Sequence, residues 1–452
     1  MMIPQMQIAV VMADAIADLA KKVKFRPYLA CAMSYWLGWM QMIPRFVLLV
    51  LVTLTFPFGA LAAVDRTAVE RQFQAWLASD VWPEAERAGV SRATFERALG
   101  GTNLDWDLPE LQPPGAPVTP PKVEWQAEFG SPGNYFGEKN LAALVRGGRS
   151  RLDTWRTALA AIEQRYGVPA KILIAIWGKE SAFGEVSIPK PAIRVLATQG
   201  FMGARKATFR PELIAALQIV ERGDIQPERM RSSWAGALGQ PQFLPSQFLR
   251  YAIDFDGDGR RNIWDSVPDV LASIANYLRN EGWNPERGWG LEVRVPPQIP
   301  CALEGPEQGK PMEEWARLGV TPADGTPFPA RAGRIGYLLM PAGRHGPAFI
   351  VTENFYALKQ YNYSDLYALY IGHLADRFAD NRTMRAGWER VGGFSRGDVL
   401  GMQEQLVAEG HDVGRADGLV GFKTRVAVGL WQQRKGQEPT CFPDAGLIRS
   451  IH

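Results

Sequence analysis

One carboxylate in this sequence lies where an ionised side chain would be poorly solvated. Glu180 ends the apolar run in IAIWGKESAFG (174–184), and Trp177 and Phe183 lie close to it along the chain. Apolar surroundings disfavour the charged form of a carboxyl group and raise its pKa, so the group can carry a proton near neutral pH. A protonated glutamate is suited to general-acid protonation of a glycosidic oxygen. A solvated position at a helix end is the plain structural alternative, and Glu185 is the nearest other carboxylate.

A second group of acidic residues follows the spacing of a cation-binding loop. In DFDGDGRRNIWD, which begins at Asp254, the carboxylates of Asp254, Asp256 and Asp258 alternate along the chain. Gly259 then permits a sharp turn, and Arg260 could offer its backbone carbonyl, as at the start of an EF-hand calcium loop. An acidic turn can also be held by its own hydrogen bonds, so the residues alone leave both interpretations open.

The whole-chain composition gives no support to several other chemistries. The chain has 452 residues, enough for two or three domains, and its net charge of +3 does not argue for nucleic acid as a partner. The histidines and cysteines form no HExxH or CxxC motif, and no phosphate-binding glycine loop is present. The 15 tryptophans and 12 tyrosines are consistent with sugar binding, because their rings stack on sugars and donate hydrogen bonds.

The first 63 residues predict export. Arg45 precedes the uncharged apolar run FVLLVLVTLTFPFGALAA (46–63), whose small residues at the end resemble a signal-peptidase site. Because the run begins so late, we infer that translation starts near Met40 or Met42. A membrane anchor through 46–63 is the alternative to a cleaved signal peptide. Either way, we expect the rest of the chain outside the cytoplasm, in the periplasm.

Helical periodicity covers most of the remaining chain. Apolar residues recur at helical intervals over 65–99, where Ser91 is expected to cap a second helix, and over 150–167. The proline-rich stretch 108–121 predicts an extended connector. Residues 290–355 are richer in Val, Pro and Gly and predict a small β-containing insert. The fold class predicted is therefore mainly α, not a doubly wound sheet.

Four ordered blocks then resemble one family. Together they are similar to the lytic murein transglycosylase B family, whose catalytic core is lysozyme-like and α-helical. The resemblance implies a catalytic domain over 64–385. The blocks are YGVPAKILIAIWGKESAFG, SSWAGALGQPQFLPSQF, YAIDFDGDGRRNIWDSVPDVLASIANYL and YNYSDLYALYIGHLADRF.

The resemblance implies roles for particular residues. Glu180 matches the single catalytic acid/base of the family. Ser233 and Gln242 match polar groups that line the sugar cleft, and Tyr277 matches a cleft tyrosine. Aromatic rings and side-chain amides suit sugar hydroxyls and N-acetyl groups, although Ser233 and Tyr277 could instead be buried and satisfied. The segment YNYSDLY matches the group that contacts the acetamido sugar near the glutamate: Tyr361, Asn362 and Tyr367.

The resemblance also implies a reaction on peptidoglycan glycan strands. With one glutamate, the acetamido group of N-acetylmuramic acid can stabilise the developing cation, and the C6 hydroxyl of the same sugar can close a 1,6-anhydro ring. The intramolecular hydroxyl competes well with water because of its proximity. No cofactor is needed for this chemistry. The residues leave two alternatives open: a muramidase that hydrolyses the same bond, and a non-catalytic scaffold that only binds peptidoglycan.

The family resemblance bears on the acidic loop as well. The position of the closing EF-hand glutamate is occupied by Asp265, whereas the longer loop of the family would make Asp269 the closing ligand. Asp269 could instead form a capping box with Ser266. A calcium ion held by Asp254, Asp256, Asp258, Arg260 and Asp269 would be structural, since the loop is not the reaction centre.

The tail over 390–452 is expected to be a separate domain. It resembles the peptidoglycan-binding domain type 1 repeat, whose hallmark D-G-x-x-G-x-x-T turn precedes a helix; here Asp417, Gly418, Gly421 and Thr424 stand in that order. A generic helical appendage is the alternative. Cys301 and Cys441 would both survive removal of the N-terminus and could pair, but the sequence carries no distance between them. Protein partners are not indicated.

Overall fold

The structure, a computed structural model, describes residues 64–116, 131–329, 333–380 and 382–451. The apolar run 46–63, on which the export prediction depends, lies outside the described residues. Within the described ranges, no helix is both long enough and apolar enough to span a bilayer.

Helices make up most of the described chain, which confirms the predicted fold class. Over the first half they are α1 Arg66–Trp76, α2 Trp82–Arg87, α3 Arg92–Leu99, α4 Glu138–Thr154, α5 Arg156–Tyr166, α6 Ala170–Ser181, α7 Ala192–Met202 and α8 Lys206–Glu221. Over the second half they are α9 Pro245–Tyr251, α10 Val267–Asn280, α11 Met312–Arg317, α12 Glu353–Gln360, α13 Asp365–Asp380, α14 Arg396–Ala408, α15 Phe422–Arg434 and α16 Ala445–Ile451. A π-helical turn, Leu77–Val81, joins α1 to α2.

Helix α6 lies at the centre of the main core. Every residue from Ile172 to Gly178 is buried, because α4, α10 and α13 pack around it. A helix that is apolar on all sides requires such complete covering. The charged residues Lys179 and Glu180 appear only where α6 leaves this shell, in its last turn.

The helix predicted over 150–167 is in fact two helices that meet at Trp155. The backbone of Trp155 departs from helical geometry, with φ −102° and ψ 18°. The hydroxyl of the preceding residue, Thr154, donates to the carbonyl of Ser150 at 2.9 Å. This side-chain bond to the i−4 carbonyl bends helices, and periodicity alone does not reveal it. The predicted cap at Ser91 is confirmed, since its Oγ accepts from the N–H of Thr94 at 3.2 Å.

The predicted β-containing insert is confirmed as an antiparallel sheet between α10 and α12. The strands are β1 Lys190–Pro191, β2 Arg231–Ser232, β3 Gly290–Arg294, β4 Lys310–Pro311, β5 Thr321–Pro322, β6 Ile335–Leu339, β7 Pro341–Arg344 and β8 Ala348–Val351. The strand order of the sheet is β4-β6-β8-β3-β5, and a separate two-stranded pair joins β1 to β2. In the central ladder, Leu291 of β3 and Leu338 of β6 both pair with Ile350 of β8.

The tail has its own small core but is attached to the sheet. Val399, Met402 and Trp431 are among the buried residues of this separate core. Cys301, beside the sheet, forms a disulfide with Cys441 of the tail, across a Cα–Cα distance of 5.7 Å. Pairing of these cysteines, which the sequence left open, therefore ties the tail covalently to the insert.

The motif turn of the tail is organised by one buried side chain. The amide of Gln403 on α14 accepts from the N–H of Gly418 at 2.7 Å and donates to Oγ1 of Thr424 at 3.0 Å. Gly418 has φ +75°, which glycine adopts without strain. The turn residues therefore hold the tail's own fold, and the wall-binding role of the tail stays a prediction.

Candidate active site

Glu180 lies in the last turn of α6, with its carboxylate held by a hydrogen bond from α13. The hydroxyl of Tyr367 donates to Glu180 Oε1 at 2.5 Å. The other oxygen, Oε2, is buried and has no hydrogen-bond partner within the described ranges. A buried oxygen without a donor favours the protonated acid over the carboxylate. The group is therefore arranged to carry a proton.

Burial controls the acidity of this group. It raises the pKa of Glu180 from 4.5 to about 7, against smaller lowering effects of the Tyr367 hydroxyl and the nearby Lys179 ammonium. A pKa near neutrality suits a residue that must first give and then take a proton. Glu185, the other carboxylate considered, has a 65% exposed side chain and forms an ion pair with Arg151. It is an ordinary surface carboxylate.

The backbone immediately after Glu180 is strained. Ala182, Phe183 and Gly184 follow one another with φ values of +48°, +63° and +80°. Residues with a Cβ rarely adopt this left-handed region, and such strain persists only where the surroundings enforce it. Here the ring of Phe183 packs edge-on against Trp177 with centroids 5.5 Å apart. The ring also occupies space next to Gly178, where an added Cβ would come within 2.7 Å of it.

Three tyrosines form a packed stack next to the glutamate. The rings of Tyr361 and Tyr367 are nearly parallel, with centroids 6.0 Å apart, and Tyr277 meets Tyr361 edge-on at 4.9 Å. The hydroxyl of Tyr277 donates to the carbonyl of Gln360 at 2.8 Å, and that of Tyr361 donates to the carbonyl of Pro241 at 2.6 Å. The stack therefore fixes the Tyr367 hydroxyl beside the carboxylate and joins α13 to the loop 233–243.

The loop 233–243 is bound to α6 by a residue that the sequence analysis did not single out. Oε1 of Gln240 accepts from the indole N–H of Trp177 at 2.7 Å, and its Nε2 donates to the carbonyl of Trp264 at 2.7 Å. Gln240 lies two positions before the predicted Gln242 in the same GQPQF block. That block was the available indication, but which of its two glutamines faces α6 depends on the loop conformation. Gln242 has φ +55° and donates to the carbonyl of Gly239 at 2.8 Å.

An open cavity of about 390 Å³ lies beside the strained turn. Gly184, Gln240 and Trp264 contribute to its walls. An indole beside amide groups is a suitable surface for a sugar ring. The number of tryptophans in the sequence is consistent with sugar binding, but it does not place Trp264 at this cavity.

The structure places the remaining predicted residues as follows. Ser233 is half-buried, and its Oγ accepts from the N–H of Ala237 at 3.2 Å, so it holds the loop turn. Tyr277 is only 3% exposed. Asn362 is half-buried in the turn between α12 and α13, adjacent to Tyr361. Direct contact of these side chains with a sugar stays a prediction.

The acidic loop brings three of its predicted ligands together. Carboxylate oxygens of Asp254, Asp256 and Asp269 lie within 4.8 Å of one another. Asp258 does not belong to this group, and its carboxylate accepts from the N–H of Arg260 at 2.8 Å. Three convergent carboxylates are the hard oxygen donors that Ca²⁺ prefers. The residues present therefore fit a structural calcium ion.

Asp269 closes the loop, but it does not form a full capping box with Ser266. Asp269 is buried, and its carboxylate accepts from the loop's own backbone N–H groups, the shortest of these bonds being 2.8 Å. Its N–H donates to Oγ of Ser266, the N-cap of α10, at 3.4 Å, whereas the N–H of Ser266 donates to the carbonyl of Asn262 at 3.2 Å. Asp265 forms an ion pair with Arg229 at 2.7 Å instead. Asp269, not Asp265, thus closes the loop, with or without an ion.

The candidate site lies in a part of the chain that matches a known family. The model of the transglycosylase SLT domain matches residues 72–376 of the chain. This chain belongs to the transglycosylase SLT domain family. The matched span contains α6, the part of α13 that carries Tyr367, the tyrosine stack and the acidic loop, so the candidate site lies wholly within the SLT domain.

Relatives of this SLT-domain chain are themselves transglycosylases. It is 30% identical over 279 residues to membrane-bound lytic murein transglycosylase B of Escherichia coli K12, which covers 60% of this chain and 73% of the relative. SltB3 of Pseudomonas aeruginosa, crystallised with NAG-NAM-pentapeptide, superposes with a TM-score of 0.75 at 38% identity over 84% of this chain and 99% of that one. Escherichia coli Slt35 in complex with bulgecin A superposes with a TM-score of 0.52 at 25% identity, over 69% of this chain and 92% of that one.

These findings confirm that the SLT-domain chain is an enzyme with a lysozyme-like fold. The superposition on SltB3 covers more of the chain than the family model does. It therefore includes residues beyond the SLT domain itself.

Proposed function

We propose that this enzyme cleaves the β-1,4 bond between N-acetylmuramic acid and N-acetylglucosamine in peptidoglycan without consuming water, and leaves a 1,6-anhydromuramic acid end. The observation that carries the proposal is the buried carboxyl of Glu180, whose pKa burial raises to about 7. A hydrolase of the two-carboxylate kind would need a second carboxylate across the scissile bond. Glu185, the nearest in sequence, is instead exposed and paired with Arg151.

The proposed reaction returns the proton to the residue that donated it. Glu180 gives its proton to the glycosidic oxygen as the bond from that oxygen to C1 of the muramic acid breaks. The sugar's acetamido oxygen stabilises the positive charge at C1. The Glu180 carboxylate then takes the proton of the C6 hydroxyl while O6 bonds to C1, which closes the anhydro ring. Tyr367 holds Glu180 Oε1 throughout.

The relatives support this choice of substrate and product. SltB3 has also been crystallised with NAG-anhNAM-pentapeptide, a fragment that contains an anhydro sugar. The protein in that structure is 37% identical to this chain. The E. coli relative is named a lytic murein transglycosylase. Both are precedents for a peptidoglycan strand bound next to Glu180.

Mass spectrometry of digested sacculi tests the proposal. Purified enzyme is incubated with sacculi, and the released muropeptides are treated with borohydride and weighed. Anhydro ends are about 20 Da lighter than the reduced ends that hydrolysis would leave. Anhydro products support the proposal. Reducible ends would identify a muramidase, and the absence of released fragments would identify a non-catalytic wall-binding protein.

We further propose that the tail contributes binding to the cell wall. The motif turn at 417–424 supports this, as do two apolar side chains that the tail exposes, Val407 (51%) and Leu430 (36%). Replacing both with serine should weaken sedimentation with sacculi while leaving turnover of soluble glycan fragments unchanged. Unchanged sedimentation would count against a binding tail.

The location proposed for the enzyme is the periplasm, where peptidoglycan is found. The apolar run 46–63 supports export, either as a cleaved signal peptide or as an anchor in the inner membrane. N-terminal sequencing of the mature protein distinguishes the two, because cleavage would leave a terminus near Ala63. A chain that retains the run would be anchored.

A further inference from the structure

A buried arginine joins the tail to the segment that carries Tyr361 and Tyr367. Arg425 on α15 has a side chain that is only 2% exposed, and it lies 2.6 Å from a carboxylate oxygen of Glu304 and 3.0 Å from one of Asp365. Glu304 belongs to the insert and is fully buried at this contact. Asp365 is the first residue of α13. One guanidinium therefore connects tail, insert and catalytic core.

Asp365 in turn holds the turn that precedes α13. Its other carboxylate oxygen lies 2.7 Å from Nζ of Lys359, near the end of α12. The carbonyl of Lys359 accepts from the N–H of Asn362 at 3.2 Å. The ion pair thus spans the turn 361–364, and Tyr367 follows two residues after Asp365. Any movement of Asp365 would displace both the tyrosine stack and the hydroxyl that binds Glu180.

Close packing on both sides of Arg425 fixes helix α15 against the insert. Gly429, one helical turn after Arg425 on the same face of α15, lies so close to the disulfide that an added Cβ would be 2.2 Å from Cys301 Sγ. At the start of the helix, the ring of Phe422 packs against Gly305, where an added Cβ would be 2.6 Å away. Helix α15 is therefore seated against the insert on both sides of the guanidinium.

We infer that Arg425 is a positioning residue of the active site, which acts through Asp365 to hold Tyr367 against Glu180. This inference rests on the proposed function, because it assigns the tail a part in the reaction of Glu180 in addition to wall binding. A tail that only binds peptidoglycan would not require a buried ion network with the catalytic core. Burying three charges is costly unless each is paired, as they are here.

The decisive variant removes the arginine without leaving an unpaired buried charge. In Arg425→Met combined with Glu304→Gln, Glu304 becomes neutral, and Asp365 retains Lys359 but loses its second partner. The assay uses the full chain and a soluble glycan fragment, so sedimentation on the wall does not enter. We expect a folded protein whose kcat falls roughly 10- to 100-fold, as for small misplacement of a catalytic group. We also expect the alkaline limb of the kcat/KM profile to move to higher pH, as it should in Tyr367→Phe.

The matched control is an exposed ion pair. Arg156→Met with Asp153→Asn removes a pair whose side chains are 77% and 74% exposed, and it should leave kcat and the pH profile unchanged. A kcat in the Arg425 variant equal to that of wild type would overturn the inference. A lower kcat with an unchanged alkaline limb of the kcat/KM profile would also overturn it, because that result describes a merely structural contact. If the paired variant does not fold, Arg425→Lys decides by the same two measurements, because lysine retains the charge but does not bridge two carboxylates as a guanidinium does. The absence of anhydro products from the wild type would instead refute the proposed function.

Discussion

The hydroxyl of Tyr367 donates a hydrogen bond to Oε1 of Glu180 across 2.5 Å, although the two residues are 187 positions apart in sequence. The bond stabilises the carboxylate form of Glu180, whereas burial stabilises its acid form, and burial is the larger effect. The balance of these two opposing effects gives the glutamate a pKa at which it can donate and then accept a proton.

Replacing Glu180 with glutamine should abolish turnover while retaining the fold. The amide has the shape of the carboxyl but carries no transferable proton, and general acid–base catalysis is worth roughly 100- to 10,000-fold. The measurement is the rate of release of anhydro-muropeptides. Glu185→Gln is the matched control, and full activity in Glu180→Gln would refute the assignment of the acid.

Tyr367→Phe should move the pH dependence of the reaction upward. Glu180 must be protonated in the first step, so kcat/KM falls as pH rises through its pKa near 7. The tyrosine hydroxyl lowers that pKa, and its removal should shift the falling limb to higher pH and reduce kcat about tenfold through loss of orientation. Tyr166→Phe is the control, because the Tyr166 hydroxyl is buried without a partner in the part of the chain that the structure describes. An identical limb in Tyr367→Phe and wild type would contradict this account.

The buried Glu180 should also lower the free energy of unfolding at alkaline pH. Between pH 4.5 and 7 the folded protein retains the Glu180 proton while the unfolded chain releases it, so the free energy of unfolding falls as pH rises. The total loss is on the order of 3 kcal/mol above pH 7. Glu180→Gln lacks this loss. Urea unfolding should therefore show the variant more stable than wild type at pH 8 and nearly equal at pH 4; a constant difference at both pH values would argue against the raised pKa.

Calcium should stabilise the enzyme without entering its chemistry. The convergent carboxylates of Asp254, Asp256 and Asp269 repel one another, and a divalent cation would offset that repulsion. Addition of millimolar Ca²⁺ to chelator-treated protein should raise Tm by a few degrees, on the order expected from binding linkage. Asp254→Asn should reduce the response, whereas Asp265→Asn, outside the cluster, should preserve it. An unchanged Tm in the wild type would support the alternative of a loop held by its own hydrogen bonds.

The disulfide between Cys301 and Cys441 should contribute substantially to the free energy of unfolding. It closes a loop with a sequence separation of 140 residues, and closing a loop of this length restricts the unfolded chain by about 4 to 5 kcal/mol in the chain-entropy account. A double Cys→Ser variant, or the reduced wild type, should unfold at a clearly lower urea concentration. The control is the double Cys→Ser variant treated with reductant, because it has no disulfide between these positions to lose and its unfolding should not shift further.

Much of the site could be predicted because its information is local. An apolar helix that ends in a glutamate, and an alternating acidic loop with a glycine, are patterns carried by a few consecutive residues. The structure contains both, although Asp258 lies outside the group of converging carboxylates. The helix predicted over 150–167 was wrong in part, because the break at Trp155 depends on backbone geometry and on the Thr154 side-chain bond. Gln240 was missed because adjacent loop glutamines look alike until the loop is folded.

The sequence by itself determined which residues are apolar enough to build α6 and which single carboxylate interrupts that apolar run. It also determined the family, through four ordered blocks. Only the tertiary structure decided what lies opposite Glu180, and that the tail's Arg425 reaches Asp365 at 3.0 Å. The reason is physical: hydrophobic periodicity reports that a helix face is covered, but the covering partner is selected by the packing of segments far apart in the chain.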